Sequence, residues 1–329
     1  MIKRILLVFG TVCLVMASSL AQQKSLIETS DIDLFWEVYD KVIAIPDSVT
    51  AVQLIQHEYI DKGSEALSAI KNFNFFESRD LYKLIKDKHE YLNSIRKATL
   101  SVKADSAKYL AIFDNFKKTY NNYSYPKIRF TMGAMLIGGF NKGDNSIVIG
   151  TEIATGTRKS KIESLNPYFK MIVSDNQSIE FLVAHELAHT QQNPGYLENM
   201  NLLSLCLMEG SADFIADFLL NRKNTMPYTI YGRKHAKTLK KLFIEHIQSD
   251  NQSDKQFIFN NWLYNAKLFI SGAISTRPDL GYYIGYEICK SYYRQAGNKK
   301  KAIADILNIN YDDKNSVTKF YGKSGFAKD

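Results

Sequence analysis

The 329 residues carry 45% hydrophobic and 23% charged side chains, an ordinary globular balance that excludes a disordered or fibrous chain. With 20 Tyr, 19 Phe and only 6 Pro, the composition points to a helix-rich, well-buried fold, long enough for one large domain or two to three smaller ones. The formal charge of +8 is dispersed, with small clusters at Lys240-Lys241 and Lys299-Lys300-Lys301, so a solvated surface rather than a nucleic-acid partner is expected.

Residues 1–21 read as an export signal. Lys3 and Arg4 precede an apolar run from Ile5 to Met16, and Ser19-Leu20-Ala21 suits cleavage after Ala21. The run is too short for a membrane span. Cys13 follows Val12, not the small residue that lipidation requires, so it belongs to the signal. The mature chain is therefore expected in the periplasm or outside the cell, with no stable membrane insertion. Cys206 and Cys289 lie in apolar helical stretches and are expected as unpaired core thiols.

From Asp31 to Asn122 the chain reads as successive helices, a scaffold spanning residues 22–125. Ser30-Asp31 is the expected cap of the first, with Leu34, Phe35, Val38 and Val42 on one face, and Asp47 that of the next. Residues 126–222 are expected to form the core that carries the chemistry, and 223–329 a helical C-terminal part. At Pro126 the period changes. Ile128, Phe130, Met132, Ala134 and Leu136 alternate as a strand does, Gly138-Gly139 and Gly143-Asp144-Asn145 mark a loop, and Ile147-Val148-Ile149 reads as the second strand of a hairpin. Asp175-Asn176 is the expected cap of a helix ending near Gln192, and a further helix spans about Met200 to Leu220.

The chemistry sits in His185-Glu186-Leu187-Ala188-His189. Residues four apart share a helix face, so the two imidazoles can converge on one ion. Glu186 points about 100° away around the axis, outside easy reach of the same ion but within reach of a water beside it. Two neutral imidazoles and an adjacent base are what zinc-assisted hydrolysis needs. A third ligand must come from elsewhere. One zinc peptidase class uses a histidine six residues past the second motif histidine, after a glycine at the third. Here Gly195 and Gln192 occupy those places, which excludes that class. Glu209, twenty residues after His189 in an apolar helix, is the expected third ligand, with Asp213 as its substitute. Otherwise Asp213, one turn on, would hydrogen-bond a ligand histidine. Gly210 and Ala212 are small enough to let this helix approach the first. Tyr282, Tyr283 and Tyr286 are candidate phenol donors to an oxyanion.

The His-Glu-x-x-His helix followed by Glu-x-x-x-Asp resembles the gluzincin, thermolysin-like metallopeptidases. The wider layout, with its late Gly281-Tyr282-Tyr283-Ile284-Gly285-Tyr286 helix, resembles exported bacterial zinc-dependent proteases. The resemblance implies an α+β, mostly helical chain with a zincin-like core, built from a small sheet and two zinc-ligand helices. It also implies one Zn2+ per chain, Glu186 as base, and a peptide or protein substrate. In gluzincins the substrate pairs with an edge strand beside the zinc helix, and Ile147, Val148 and Ile149 are the candidate edge here. Two alternatives share the motif: an exported accessory protein of surface assembly that keeps the zinc fold without turnover, and a zinc amidase acting on non-peptide substrates.

Overall fold

The computed structural model describes residues 26–74, 76–174, 178–193 and 195–328. Residues 1–21, expected as an export signal, and Asp175 and Asn176, expected as a helix cap, lie outside the described residues. The chain is α+β and mostly helical, with one four-stranded sheet. No described helix is long and apolar enough to cross a membrane.

A short β1 (Ile27–Glu28) leads into six helices: α1 (Ser30–Ala44), α2 (Ser48–Ile55) with a π turn to Ile60, α3 (Glu65–Asn74), α4 (Ser78–Asp87), α5 (His89–Ser101) and α6 (Ser106–Thr119). Asp47 caps α2 by accepting the Thr50 amide, as its position before Ser48 suggests. Asp31 does not cap α1. Thr29 holds that position, and Asp31 is buried inside the first turn, accepting from the Ser64 amide and hydroxyl. The apolar stripe of α1 includes Phe35, Trp36, Tyr39 and Val42, and the Trp36 indole donates to Thr99 on α5.

The sheet follows: β2 (Lys127–Thr131), β3 (Gly139–Asn141) and β4 (Ser146–Gly150), in the order β1-β2-β4-β3. The hairpin expected between residues 128–136 and 147–149 is corrected here. β2 pairs with β4 in parallel, Ile128 opposite Ile147, and the antiparallel partner of β4 is the short β3. β2 stops at Thr131 because the chain then enters left-handed backbone at Ala134 (φ 61°) and Met135 (φ 54°). The amides of Gly133 and Met135 turn to the buried Glu152 carboxylate, at 2.9 and 2.8 Å, instead of continuing a ladder.

β4 therefore has a neighbour on each side, and the expectation that Ile147, Val148 and Ile149 form an open edge is corrected. Successive strand residues face opposite sides of a sheet, and all three are fully buried, so both faces are covered. Tyr109 of α6 packs on Phe130 on one face, and the Tyr59 hydroxyl reaches the Met132 carbonyl beyond the end of β2. The edge beside the later helices is β3.

After α7 (Thr151–Ala154) and α8 (Pro167–Ser174) come the two central helices, α9 (Ile179–Gln191) and α10 (Leu202–Leu220). Ser178 caps α9 by accepting the Phe181 amide, and Asn201 caps α10 in the same way through Ser204. The C-terminal part holds α11 (Pro227–Lys234), α12 (Ala236–Ile247), α13 (Lys255–Asn261), α14 (Ala266–Ile270), α15 (Leu280–Gln295), α16 (Lys299–Leu307) and α17 (Lys314–Ser324). α10 and α15 cross at glycines: a Cβ on Gly285 would lie 3.0 Å from Gly210 Cα and overlap the Cys206 carbonyl. Gly210 thus serves the contact with α15 and not, as its small size suggested, the approach to α9. Cys206 and Cys289 are buried and free.

Candidate metal centre

α9 presents His185 and His189 one turn apart, and α10 brings Glu209 across to them. The two Nε2 atoms lie 3.1 Å apart, and Oε2 of Glu209 lies 3.5 Å from His185 Nε2 and 3.3 Å from His189 Nε2. The three side chains form a group that could hold a metal ion. Nitrogen and oxygen ligands at about 2.0–2.1 Å from a tetrahedral centre have edges of about 3.3–3.4 Å, which the observed triangle matches. The donors also suit zinc, two imidazoles and one carboxylate.

Both imidazoles are oriented from behind. Nδ1 of His185 lies 2.8 Å from Oδ1 of Asp213, one turn past Glu209 on α10. Asp213 is fully buried, and its Oδ2 also accepts from Asn224 and from the Tyr228 hydroxyl. This fixes the carboxylate, which in turn makes His185 Nδ1 the protonated nitrogen and turns the Nε2 lone pair toward the group. His189 Nδ1 meets Oε1 of Gln192 at 2.7 Å, and the Gln192 amide nitrogen donates to the Met208 carbonyl and the Ser211 hydroxyl of α10. The second histidine thus has an amide partner where the first has a carboxylate.

The electrostatics point the same way. Burial opposes charge on both histidines, yet Asp213 and Glu209 outweigh it at His185, raising its pKa well above the imidazole value, and Glu209 does the same at His189. Burial would raise Glu209, but the two imidazoles hold its carboxyl well below the ordinary range. The buried carboxylates Glu186, Glu209 and Asp213 exceed what neutral imidazoles balance, so the group attracts positive charge. A divalent cation supplies it while leaving the histidines neutral.

Glu186, on the adjacent face of α9, lies against β3. A Cβ on Gly139 would stand 2.9 Å from Glu186 Cγ and 3.0 Å from its Oε1. Burial pushes the Glu186 carboxyl upward, against the pull of His185 and His189. Gly138 and Lys142 bond to β4 (Gly150 amide to Gly138 carbonyl, Lys142 amide to Ser146 carbonyl, 2.9 Å each). By the alternation of an antiparallel ladder, the backbone groups of Gly139 and Asn141 then face the open edge.

The tyrosines divide. The Tyr282 ring stacks on His185, centroids 6.1 Å apart, with Tyr228 and Tyr264 around it. Tyr283 is not brought to the group, since its ring packs on Gly232 of α11, and the Tyr286 hydroxyl donates to Asp217. Sequence reasoning missed Gln192, Asn224, Tyr228, Gly139 and Tyr264, whose hydroxyl donates to Oε1 of Glu209. Gln192 had a usable signal, lying three residues past His189 at the helix end. Tyr264 had none, lying in a loop 55 residues from its partner.

Residues 168–313 match the family model described as "Predicted Zn-dependent protease (DUF2268)". No curated protein and no solved structure matches the chain. The matched stretch holds His185, Glu186, His189, Glu209 and Asp213 together, and the match supports a zinc-dependent protease family.

Proposed function

We propose that this protein is an exported zinc metallopeptidase of gluzincin type, with a zincin-like core, that hydrolyses peptide bonds. The observation that carries the reading is the convergence of His185, His189 and Glu209 at mutual distances of 3.1 to 3.5 Å, with Glu186 beside them against an open strand. His185, His189 and Glu209 would hold one zinc ion. Bound there, zinc supplies Lewis acidity, polarising a carbonyl and acidifying water.

Glu186 accepts the proton of the attacking water and returns it to the leaving amine. Its burial favours this, because raising a carboxyl's affinity for protons brings it nearer to the working pH. Asp213 and Gln192 keep the imidazoles oriented. The peptide lies along β3, its backbone pairing with Gly139 and Asn141, in place of the strand Ile147–Ile149. Pairing of this kind gives affinity without demanding one particular side chain.

The test uses the chain from Gln22 onward, purified without chelators, assayed for zinc content and for cleavage of a diverse peptide library. One zinc per chain and hydrolysis are expected, with Glu186→Gln retaining the metal and losing turnover. Wild-type protein that cleaves no peptide, or Glu186→Gln protein that cleaves at the wild-type rate, refutes the reading. Export is checked separately, by cell fractionation and by an N-terminus at Gln22.

A further inference from the structure

Tyr264 lies between α13 and α14, and three observations single it out. Its hydroxyl donates to Oε1 of Glu209, while Oε2 of the same carboxylate faces the two imidazoles. Its backbone is left-handed, φ 57°, a costly conformation for a bulky aromatic residue. The residue is 45% exposed although its hydroxyl reaches a buried carboxylate, so it spans from solvent to the candidate metal group.

The loop is built to hold this conformation. Trp262 is buried, its indole donating to His246 Nδ1 at 2.9 Å and its carbonyl accepting the Gly281 amide at 2.8 Å. Asn265, also buried, accepts the Asp279 amide at 2.8 Å. Both neighbours of the strained segment are thereby tied to the start of α15. Strain persists only where the surroundings over-determine it. Here the surroundings do so, and what they deliver is a phenol on Glu209.

A carboxylate facing a metal can ligate through one oxygen or through both. A hydroxyl bonded to Oε1 engages that oxygen while Oε2 faces the imidazoles, which favours binding through Oε2 alone. We propose that Tyr264 is a positioning residue that holds Glu209 as a one-oxygen ligand, so that a coordination position stays open for reactants. This rests on the reading of His185, His189 and Glu209 as the ligands. An open fourth position is what separates a catalytic zinc site from a structural one.

The test compares the wild-type mature chain with Tyr264→Phe, which keeps the ring and the backbone and removes only the hydroxyl. Zinc affinity is read by competition with a chromophoric chelator, and coordination by the visible absorption of the cobalt-substituted protein. The Phe variant is expected to bind zinc about 10- to 100-fold more weakly, the range for losing a group that orients a ligand. Its cobalt absorption should weaken, as expansion beyond four ligands requires. A purely structural role would lower the melting temperature and leave the cobalt spectrum unchanged. Unchanged affinity and spectrum overturn the inference while leaving the ligand set intact, whereas wild-type protein that binds neither metal overturns the ligand set itself. Should Tyr264→Phe not fold, Tyr264→Asn, which suits left-handed backbone and is too short to reach Glu209, gives the same comparison.

Discussion

Gly139→Ala separates the position of Glu186 from everything else in the site. The added Cβ would lie 2.9 Å from Glu186 Cγ, 3.0 Å from its Oε1 and 3.1 Å from Ile149 Cδ1. Carbon atoms rest about 3.5–4.0 Å apart, so Glu186 must withdraw by roughly 0.5–1 Å. All three obstructing atoms are far along flexible side chains, and no positive φ is involved, so the strain relaxes cheaply. The stability loss is expected to stay at or below about 1 kcal/mol, the lower end of the overpacking range. Catalysis is less forgiving, since a displacement near 1 Å costs on the order of 100-fold. The variant should therefore keep its zinc and its melting temperature to within a few degrees, while kcat falls by about 10- to 100-fold. Metal analysis, thermal melting and peptide hydrolysis on one preparation decide the matter. A variant with wild-type kcat refutes the assignment of Glu186 as the base held against β3. One that loses zinc refutes the reading that Gly139 abuts Glu186 and none of the three candidate ligands.

Asp213→Ala should lower zinc affinity by about 10- to 100-fold, and Glu209→Ala should abolish stoichiometric binding, both read by metal analysis after dialysis. Gly285→Ala should destabilise the chain by about 3 kcal/mol or more, because its Cβ meets the backbone of Cys206 and Gly210, which cannot rotate away. The check is a denaturant titration. Burial raises the Glu152 carboxyl to about 7, against the pull of the Met135 and Gly133 amides. The folded state thus binds this proton more tightly than the unfolded chain, whose ordinary value is 4.5. Its contribution to stability is complete below about pH 4.5 and is lost as pH rises through about 7, by on the order of 3 kcal/mol. Glu152→Gln, which keeps the acceptor for both amides, should flatten that part of the stability–pH profile, and an unchanged profile contradicts the assignment.

The helices of the centre were legible because their signals are local. Four-residue spacing put His185 beside His189, and the same spacing put Asp213 on the face of Glu209, where it meets His185. That rule also explains the misreading of Gly210. Adjacent helical residues point about 100° apart, so a helix that turns Glu209 toward α9 must turn Gly210 elsewhere, and it turns to α15. The sheet was misread because alternation from Ile128 to Leu136 looks like one long strand. Its true end at Thr131 depends on Glu152, whose two amide contacts are invisible to periodicity. The interior place of β4 did leave a trace: Ile147-Val148-Ile149 is an unbroken apolar run, the mark of a strand covered on both faces rather than of an edge.

Six described non-glycine residues have left-handed backbone: Ala134, Met135, Asn145, Asn221, Tyr264 and Asp279. The two asparagines and Asp279 adopt it readily, as Asn and Asp do. The other three, Ala134, Met135 and Tyr264, are costly, about 1–3 kcal/mol each, and they fall in two segments. Ala134 and Met135 shape the turn that leads from β2 to β3 and so to Gly139. Tyr264 and Asp279 join the loop over Glu209 to the start of α15, the helix that stacks Tyr282 on His185. Each segment donates to a buried carboxylate, the first through the Gly133 and Met135 amides to Glu152 and the second through the Tyr264 hydroxyl to Glu209. Among the described residues the strained backbone therefore sits beside the strand that carries Gly139 and in the loop over Glu209, and not in the helical scaffold. That distribution accounts for where sequence reasoning failed. Local rules describe contacts within a segment, whereas these two segments are fixed by partners distant in sequence, Glu152 for the first and Asp279 and Gly281 for the second.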